Sequence, residues 1–309
     1  MKILLTGAGG MLGGYIKDEF STENIKTLGI SENSDFKTDL IKETPSLGEN
    51  EFDLVIHTAG TENNSKANAL NLEGTKRLLE GLQSRPPRYF VYISSYKVYS
   101  RDAGENLTEE SHTWASDETG RSKALAEQLL KDWCEKHDVV LSIVRPARMF
   151  GNGVKGDTLT LFNDALSGKY IHIRGNDAKV SIVCALDVAK SIKEIYTFGG
   201  IYNASDNRPV KFIDLVEAMT ANAGSKKRMT HLPISWAEWI WRYGRWIPFI
   251  DRNLSPQVVE DRMKSLTLDG TKLIEAAGFP FHDTIAVIER TAKDYPYSEI
   301  KKKVITHEV

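Results

Sequence analysis

Cysteine is nearly absent from this sequence, which holds only Cys134 and Cys184. Neither sits in a CxxC or beside a histidine cluster, so a structural zinc site is not indicated and both are expected to be buried thiols. The other histidines are scattered without metal-ligand spacing, and no metal is expected. An excess of positive charge is missing too. With 40 Lys and Arg against 42 Asp and Glu, a net charge of -2 and a pI near 6.4, a broadly basic nucleic-acid face is disfavoured and only a local patch stays open. No stretch approaches the ~20 apolar residues of a membrane span. The opening MKILLTGAGG carries one lysine and too short an apolar run for a signal peptide. A soluble, cytoplasmic chain is expected, with no internal repeat and no low-complexity linker.

What is present is enough apolar material, 41 % of 309 residues, to bury a large core. Up to about Val144, short β-branched runs alternate with longer amphipathic segments, the pattern of a parallel sheet with crossover helices. Strands are expected at 2–6, 25–30, 54–58, 89–94 and 139–144. Leu72, Thr75, Leu79 and Leu82 fall at helical spacing, as do Leu125, Leu129 and Trp133, and these two helices should cover the sheet. After Gly151 the regularity weakens, with helical patterns at 159–166, 212–223 and 271–276 and strands near 170–173 and 181–185. The expected fold is α/β, a Rossmann-type doubly wound parallel sheet over 1–150. A smaller C-terminal substrate lobe over 151–309 would return some strands and helices to the first domain.

The turn after the first strand, Thr6-Gly7-Ala8-Gly9-Gly10-Met11-Leu12-Gly13, has the context of a dinucleotide fingerprint. Gly7 permits the tight turn, Gly10 lets backbone N–H groups approach a pyrophosphate, and Gly13 permits close helix–strand packing. The helix N-terminus then favours the anion. The spacing is GxxGxxG, and it resembles the short-chain dehydrogenase/reductases.

Further segments are similar to the extended branch of that family. Asp39-Leu40 resembles the pair over the adenine, and Thr58-Ala59-Gly60 the loop beside the cofactor. Asn71-Leu72-Glu73-Gly74-Thr75 is similar to the next helix motif. Ile93-Ser94-Ser95-Tyr96-Lys97-Val98-Tyr99 resembles the strand end that carries the active-site serine, here Ser95. Val144-Arg145-Pro146-Ala147-Arg148 is similar to the strand end beneath the nicotinamide. The resemblance spans nearly the whole chain. It implies NAD or NADP held by Gly7, Gly10, Met11, Leu12, Gly13, Asp39, Leu40, Thr58, Ala59, Gly60, Asn71, Lys123 and Pro146. Within the branch, bacterial nucleotide-sugar 4-epimerases and 4-keto-sugar reductases are most similar, which implies a UDP- or dTDP-linked sugar substrate. Ser95, Tyr96, Lys97, Arg148 and Lys155 are the expected substrate contacts, the three cations facing a diphosphate. The family's habit also implies a homodimer, paired through the helices that begin near Asn68 and Gly120.

One departure stands out. In the family a tyrosine four residues before a lysine moves the proton while hydride moves to or from the nicotinamide; a phenol of reference pKa about 10 serves because nearby positive charge stabilises its anion. Here the segment reads Glu118-Thr119-Gly120-Arg121-Ser122-Lys123, with Lys123 in place and Thr119 where tyrosine should stand. Threonine is a much weaker acid with a shorter reach. Four explanations stay open: catalysis lost, leaving a cofactor- or sugar-binding sensor or scaffold; Tyr96 or Lys97 supplying the proton from the opposite wall; a substrate-assisted or water-relayed step; or a misaligned loop, against which the intact Gly-Arg-Ser-Lys run argues.

The second strand ends Thr27-Leu28-Gly29-Ile30-Ser31 without a carboxylate for the adenosine ribose, so NAD and NADP both stay open; Glu32 fills the role or is a solvated turn residue. His57, inside a strand, is expected to be packed. Four of six tryptophans lie in 235–246. Trp236, Trp239, Ile240 and Tyr243 share a helical face, read most simply as packing in the C-terminal lobe; Trp241 and Trp246 with Arg242 and Arg245 are the alternative, an interfacial surface.

Overall fold

Alternation decides the sheet before any helix is placed: Ile3 and Leu5 point to one side and Leu4 to the other, as do Ile56 against Val55 and Val91 against Phe90. Burial on both faces makes these strands continuous apolar runs. The computed structural model describes residues 1–99, 104–221, 229–243 and 255–294. Its first half runs β1 (Lys2–Thr6), α1 (Met11–Glu19), β2 (Asn24–Gly29), β3 (Phe36–Lys37), β4 (Leu54–His57), α2 (Asn64–Ala67), α3 (Glu73–Leu82) and β5 (Tyr89–Ile93). Next come β6 (Gly104–Leu107), α4 (Glu118–Lys136) and β7 (Val140–Pro146). The second half holds β8 (Arg148–Phe150), α5 (Gly156–Ser167), β9 (Ile171–Arg174), β10 (Lys179–Val180), β11 (Ile182–Cys184), α6 (Ala185–Ile195) and β12 (Gly200–Ala204). It ends with β13 (Val210–Lys211), α7 (Phe212–Ala221), β14 (Thr230–Pro233), α8 (Ile234–Tyr243), α9 (Pro256–Met263), β15 (Leu266–Leu268), α10 (Thr271–Ala277) and α11 (Thr284–Asp294).

Seven parallel strands form the main sheet in the order β12-β7-β5-β4-β1-β2-β3, a Rossmann-like arrangement. The chain leaves β1 outward to β2 and β3, then restarts at β4 on the other side. That reversal opens a crevice at the carboxyl ends of β1 and β4, where such sheets bind ligands. Side chains of α1, α6 and α10 cover one face through Leu12, Ile16, Val188, Ile192 and Leu273. From α3 and α4, Leu78, Leu82, Leu130 and Cys134 cover the other. Burying a leucine or isoleucine of this kind contributes about 1.5–3 kcal/mol.

A smaller cluster from Phe150, Phe162, Leu166, Leu215 and Met219 organises the C-terminal lobe. Both cysteines are buried, and burial raises both thiol pKa values, that of Cys134 to about 12.

Two expected faces need correction. On α4 the inward residues are Ser122, Lys123, Ala126, Glu127, Leu130 and Cys134, whereas Leu125 is 49 % exposed and Leu129 and Trp133 are only partly buried. On α8 only Ala237 and Ile240 are buried, against Ile173 and Val259. Trp236, Trp239 and Tyr243 do share an arc, but it is the exposed one, so they are not lobe core. Arg245 and Trp246, and the 222–223 end of the expected seventh helix, lie outside the described residues.

Candidate active site

The glycine turn after β1 is built so tightly that side chains are excluded. Gly7 has φ +71°, and a Cβ there would lie 2.5 Å from Thr58 Oγ1 and 2.7 Å from the Ala59 backbone N. On Gly13 a Cβ would sit 2.3 Å from the Gly7 carbonyl oxygen. Gly10 is the N-cap of α1, so the start of that helix presents bare backbone at Met11, with Leu12 buried behind it. Thr58 donates to the Thr6 carbonyl (2.8 Å), which locks the two loops together.

Lys155 lies on this same turn, its Nζ 2.6 Å from the Gly9 carbonyl oxygen. It was expected at the substrate diphosphate; the structure places it among the residues around Gly10 and Tyr15 instead. Leu40 is buried, and its carbonyl accepts from Arg77 (3.0 Å). The Asp39 carboxylate accepts from the Ile41 N–H (3.0 Å) and pairs with Lys42. Glu32 is 83 % exposed and pairs with Lys37, a solvated turn residue. Asp35 accepts from the Thr27 N–H and hydroxyl, and those bonds, the backbone one first, lower its pKa to about 2.

Lys123 is buried from the inner side of α4. Its Nζ donates to the Ile93 carbonyl (2.7 Å) and lies 4.7 Å from the centre of the Tyr92 ring. Burial lowers its pKa to about 8 against the opposing pull of Glu127 and Glu62. Asn71 sits in a five-residue π turn, Asn68–Leu72, a feature frequent at functional sites. Its side chain accepts from the Thr61 N–H (2.8 Å) and donates to Ser122 Oγ (3.1 Å), tying the Ala59-Gly60 loop to α4. His57 is buried between the hydroxyls of Thr6 (2.6 Å) and Thr75 (2.9 Å), and desolvation followed by the Lys123 charge lowers its pKa to about 3. It is packing.

Thr119 is 2 % exposed, and its hydroxyl is engaged by Glu62 and Asn64, two residues that line the cavity beyond the Tyr96 turn. It lies 2.9 Å from Asn64 Oδ1 and 3.2 Å from the Glu62 carbonyl, while the Thr119 N–H also donates to Asn64 Oδ1. One proton shared between two loop oxygens ties the loop to α4. Asp117 caps α4 through the Gly120 N–H (2.8 Å). A Cβ on Gly120 would lie 2.0 Å from the Lys97 carbonyl oxygen, so this glycine lets α4 press against the turn that carries Tyr96 and Lys97.

That turn, Tyr96–Val98, is capped by Ser95 Oγ, which accepts from the Lys97 N–H (3.2 Å). Beyond it lies a cavity of about 430 Å³ lined by Tyr96, Lys97, Arg148, Asp157, Arg262 and Lys264 among others, within the size range of small-molecule sites. Arg148 donates to Tyr96 Oη (3.3 Å). Lys97 Nζ lies 2.6 Å from Asp157 Oδ2. Burial opposes its charge, but Tyr96, Asp157 and Glu62 outweigh it and raise the lysine pKa, so Lys97 is a fixed cation and unsuited to shuttling a proton near neutral pH. Glu62 accepts from the Asp157 N–H (2.8 Å) at the start of α5, where a helix N-terminus favours an anion.

Sequence motifs did not reveal Glu62, Asp157, Arg262 or Lys264. Arg262 is 7 % exposed, donates to the Ile171 carbonyl (3.1 Å) and stacks 4.6 Å from the Tyr170 ring centre. Ser94, Glu127 and Arg145 form a buried network beside the site, with a two-pronged Arg145–Glu127 pair at 3.0 and 2.6 Å. Among the described residues one trio, Cys184, Asp187 and His282, brings potential metal-ligand atoms within 4.8 Å of one another. It does not line the cavity, and Asp187 accepts from the His282 N–H (2.7 Å) as a loop clamp.

The chain belongs to the NAD dependent epimerase/dehydratase family, whose model matches residues 3–204. It is 23 % identical over 251 residues, 75 % of each chain, to the N-acetyl-alpha-D-glucosaminyl-diphospho-ditrans,octacis-undecaprenol 4-epimerase of Escherichia coli O157:H7. Its fold is similar to UDP-glucose 4-epimerase from Thermotoga maritima, solved with UDP-glucose (TM-score 0.73, 17 % identity, 99 % of this chain and 100 % of that one). It is also similar to UDP-glucuronic acid 4-epimerase from Bacillus cereus in complex with NAD (TM-score 0.72, 16 % identity, 98 % and 99 %). The family's cofactor suits this chain. Gly7 and Gly13 let β1, the 58–59 loop and α1 close on one another, and that packing leaves the bare backbone at Gly10 and Met11 for a pyrophosphate, while Lys123 Nζ reaches the Ala59-Gly60 loop. No helix among the described residues is long and apolar enough to cross a membrane.

Proposed function

We propose that the protein is an NAD(P)-dependent 4-epimerase of a nucleotide-linked sugar in which Tyr96, not residue 119, moves the proton. The observation that carries this is the disposition of the two hydroxyls: Thr119 is bound to the 62–64 loop, while Tyr96 Oη stands in the cavity wall under the Arg148 guanidinium. A dinucleotide whose pyrophosphate lies on the glycine turn would supply a hydride acceptor and donor at its nicotinamide. Tyr96 Oη, as a phenolate held by Arg148, would take the proton of the sugar hydroxyl while that carbon is oxidised, and as a phenol would return it when the ketone is reduced from the other face. Ser95 orients the reacting oxygen, Arg148 holds the phenol, and Arg262 and Lys264 take the diphosphate in place of Lys155. The same diphosphate-linked sugar chemistry runs through the names of the similar proteins.

A homodimer in the cytoplasm completes the proposal, with α3 and α4 facing their copies; Leu125, half exposed on the outer side of α4, supports it. The catalytic claim is tested by assaying the unmodified protein and Thr119→Tyr with a panel of UDP- and dTDP-sugars and both cofactors. The proposal expects an active parent and a variant that is no better. A silent parent that Thr119→Tyr awakens would show instead that catalysis has been lost and that a binding protein remains.

A further inference from the structure

Five of the ten exposed large hydrophobic side chains among the described residues lie on the ten-residue α8: Ile234 (40 %), Trp236 (63 %), Trp239 (48 %), Trp241 (39 %) and Tyr243 (47 %). Three arcs run along this helix. Ala237 and Ile240 dock on the lobe, Ser235, Glu238 and Arg242 form a polar side, and Trp236, Trp239 and Tyr243 stand between them and solvent, the last two rings 6.1 Å apart. The sequence that flanks it is basic although the chain is net negative. Residues 226–252 of the sequence hold six basic side chains against two acidic ones, and Lys264 lies 5.4 Å from the centre of the Trp241 ring.

We propose that this arc is a docking surface for an anionic lipid bilayer, with α8 lying in the headgroup plane. Tryptophan and tyrosine pair an apolar ring with a polar edge and collect at membrane interfaces, and basic neighbours add attraction to anionic headgroups. A second copy fits less well. One side of a helix about 15 Å long offers far less than the about 800 Å² per partner that a stable dimer buries. The helix adjoins the site: α8 packs on α9, and Lys264, near the Trp241 ring on the flank of α8 away from the arc, also lines the cavity.

The test is sedimentation of the full chain with vesicles containing phosphatidylglycerol and with vesicles of phosphatidylcholine alone, run without sugar or added cofactor so that a catalytically silent protein leaves the answer unaffected. The expected result is pelleting with the anionic vesicles, reversed by salt, and a partition coefficient lowered about tenfold or more in Trp236→Ser/Trp239→Ser at unchanged circular dichroism and melting temperature. No pelleting with the anionic vesicles, or equal pelleting of the double variant, would overturn the proposal. So would a double variant that loses self-association in sedimentation velocity, since a second copy would then cover the arc.

Discussion

Tyr96 and Thr119 differ in acidity and also in what their oxygens already touch. Removing the Tyr96 hydroxyl with Tyr96→Phe keeps the ring and should lower kcat by about 10²–10⁴-fold, the range for a lost general acid–base, at unchanged melting temperature; steady-state kinetics beside thermal melts check it. Thr119→Val removes the loop tie and should cost about 1 kcal/mol of stability, read by urea unfolding. His57 gives a pH signature. Its folded pKa is about 3, so the unfolded chain takes up a proton first as pH falls below about 6.5. The stability it confers is therefore present above that pH and is lost progressively down to about 3. At pH 5 the loss amounts to about 2 kcal/mol. Urea unfolding at pH 7 and pH 5 should show a drop smaller by that amount in His57→Gln.

Elements position these side chains through a few close approaches. Gly120→Ala would drive a Cβ into the Lys97 carbonyl, so α4 must move off the Tyr96 turn. A stability loss of about 1–3 kcal/mol and a roughly 100-fold fall in kcat are expected. Gly14→Ala, in α1 where a Cβ meets nothing within 4 Å, should instead raise stability by up to about 1 kcal/mol. Parallel melts and assays of both variants separate the two cases. On α4 the sequence shows a helix but not its inner side. Leu125, Leu129 and Trp133 have the right spacing, yet the inward positions include Ser122, Lys123 and Glu127 because the site needs them there. Polarity at functional positions inverts the usual pattern. The tryptophans of α8 misled in the same way, since periodicity finds a shared arc without saying whether it faces core or solvent. For the proposed homodimer, Leu125→Glu should give a monomer in analytical ultracentrifugation where the unmodified chain sediments as a dimer.

Across the whole molecule, what was legible is what lies in contiguous motifs at the carboxyl edge of the sheet: the glycine turn, the Thr58–Gly60 loop, Ser95 and Lys123. Arg262 and Lys264 reach the cavity only because the C-terminal lobe folds back over it, beyond residue 204 where the family match ends, and no local pattern announces that. Glu62 is found only through its bond to the start of α5. In the proposed function these parts serve one reaction, hydride leaving and returning at the same sugar carbon while Tyr96 handles the proton. The most direct test is proton NMR of a UDP-hexose incubated with the purified protein and cofactor in deuterium oxide. The 4-epimer should accumulate with protium retained at C4, because the hydrogen travels as hydride and never exchanges with solvent. No epimer, or deuterium at C4, would contradict it.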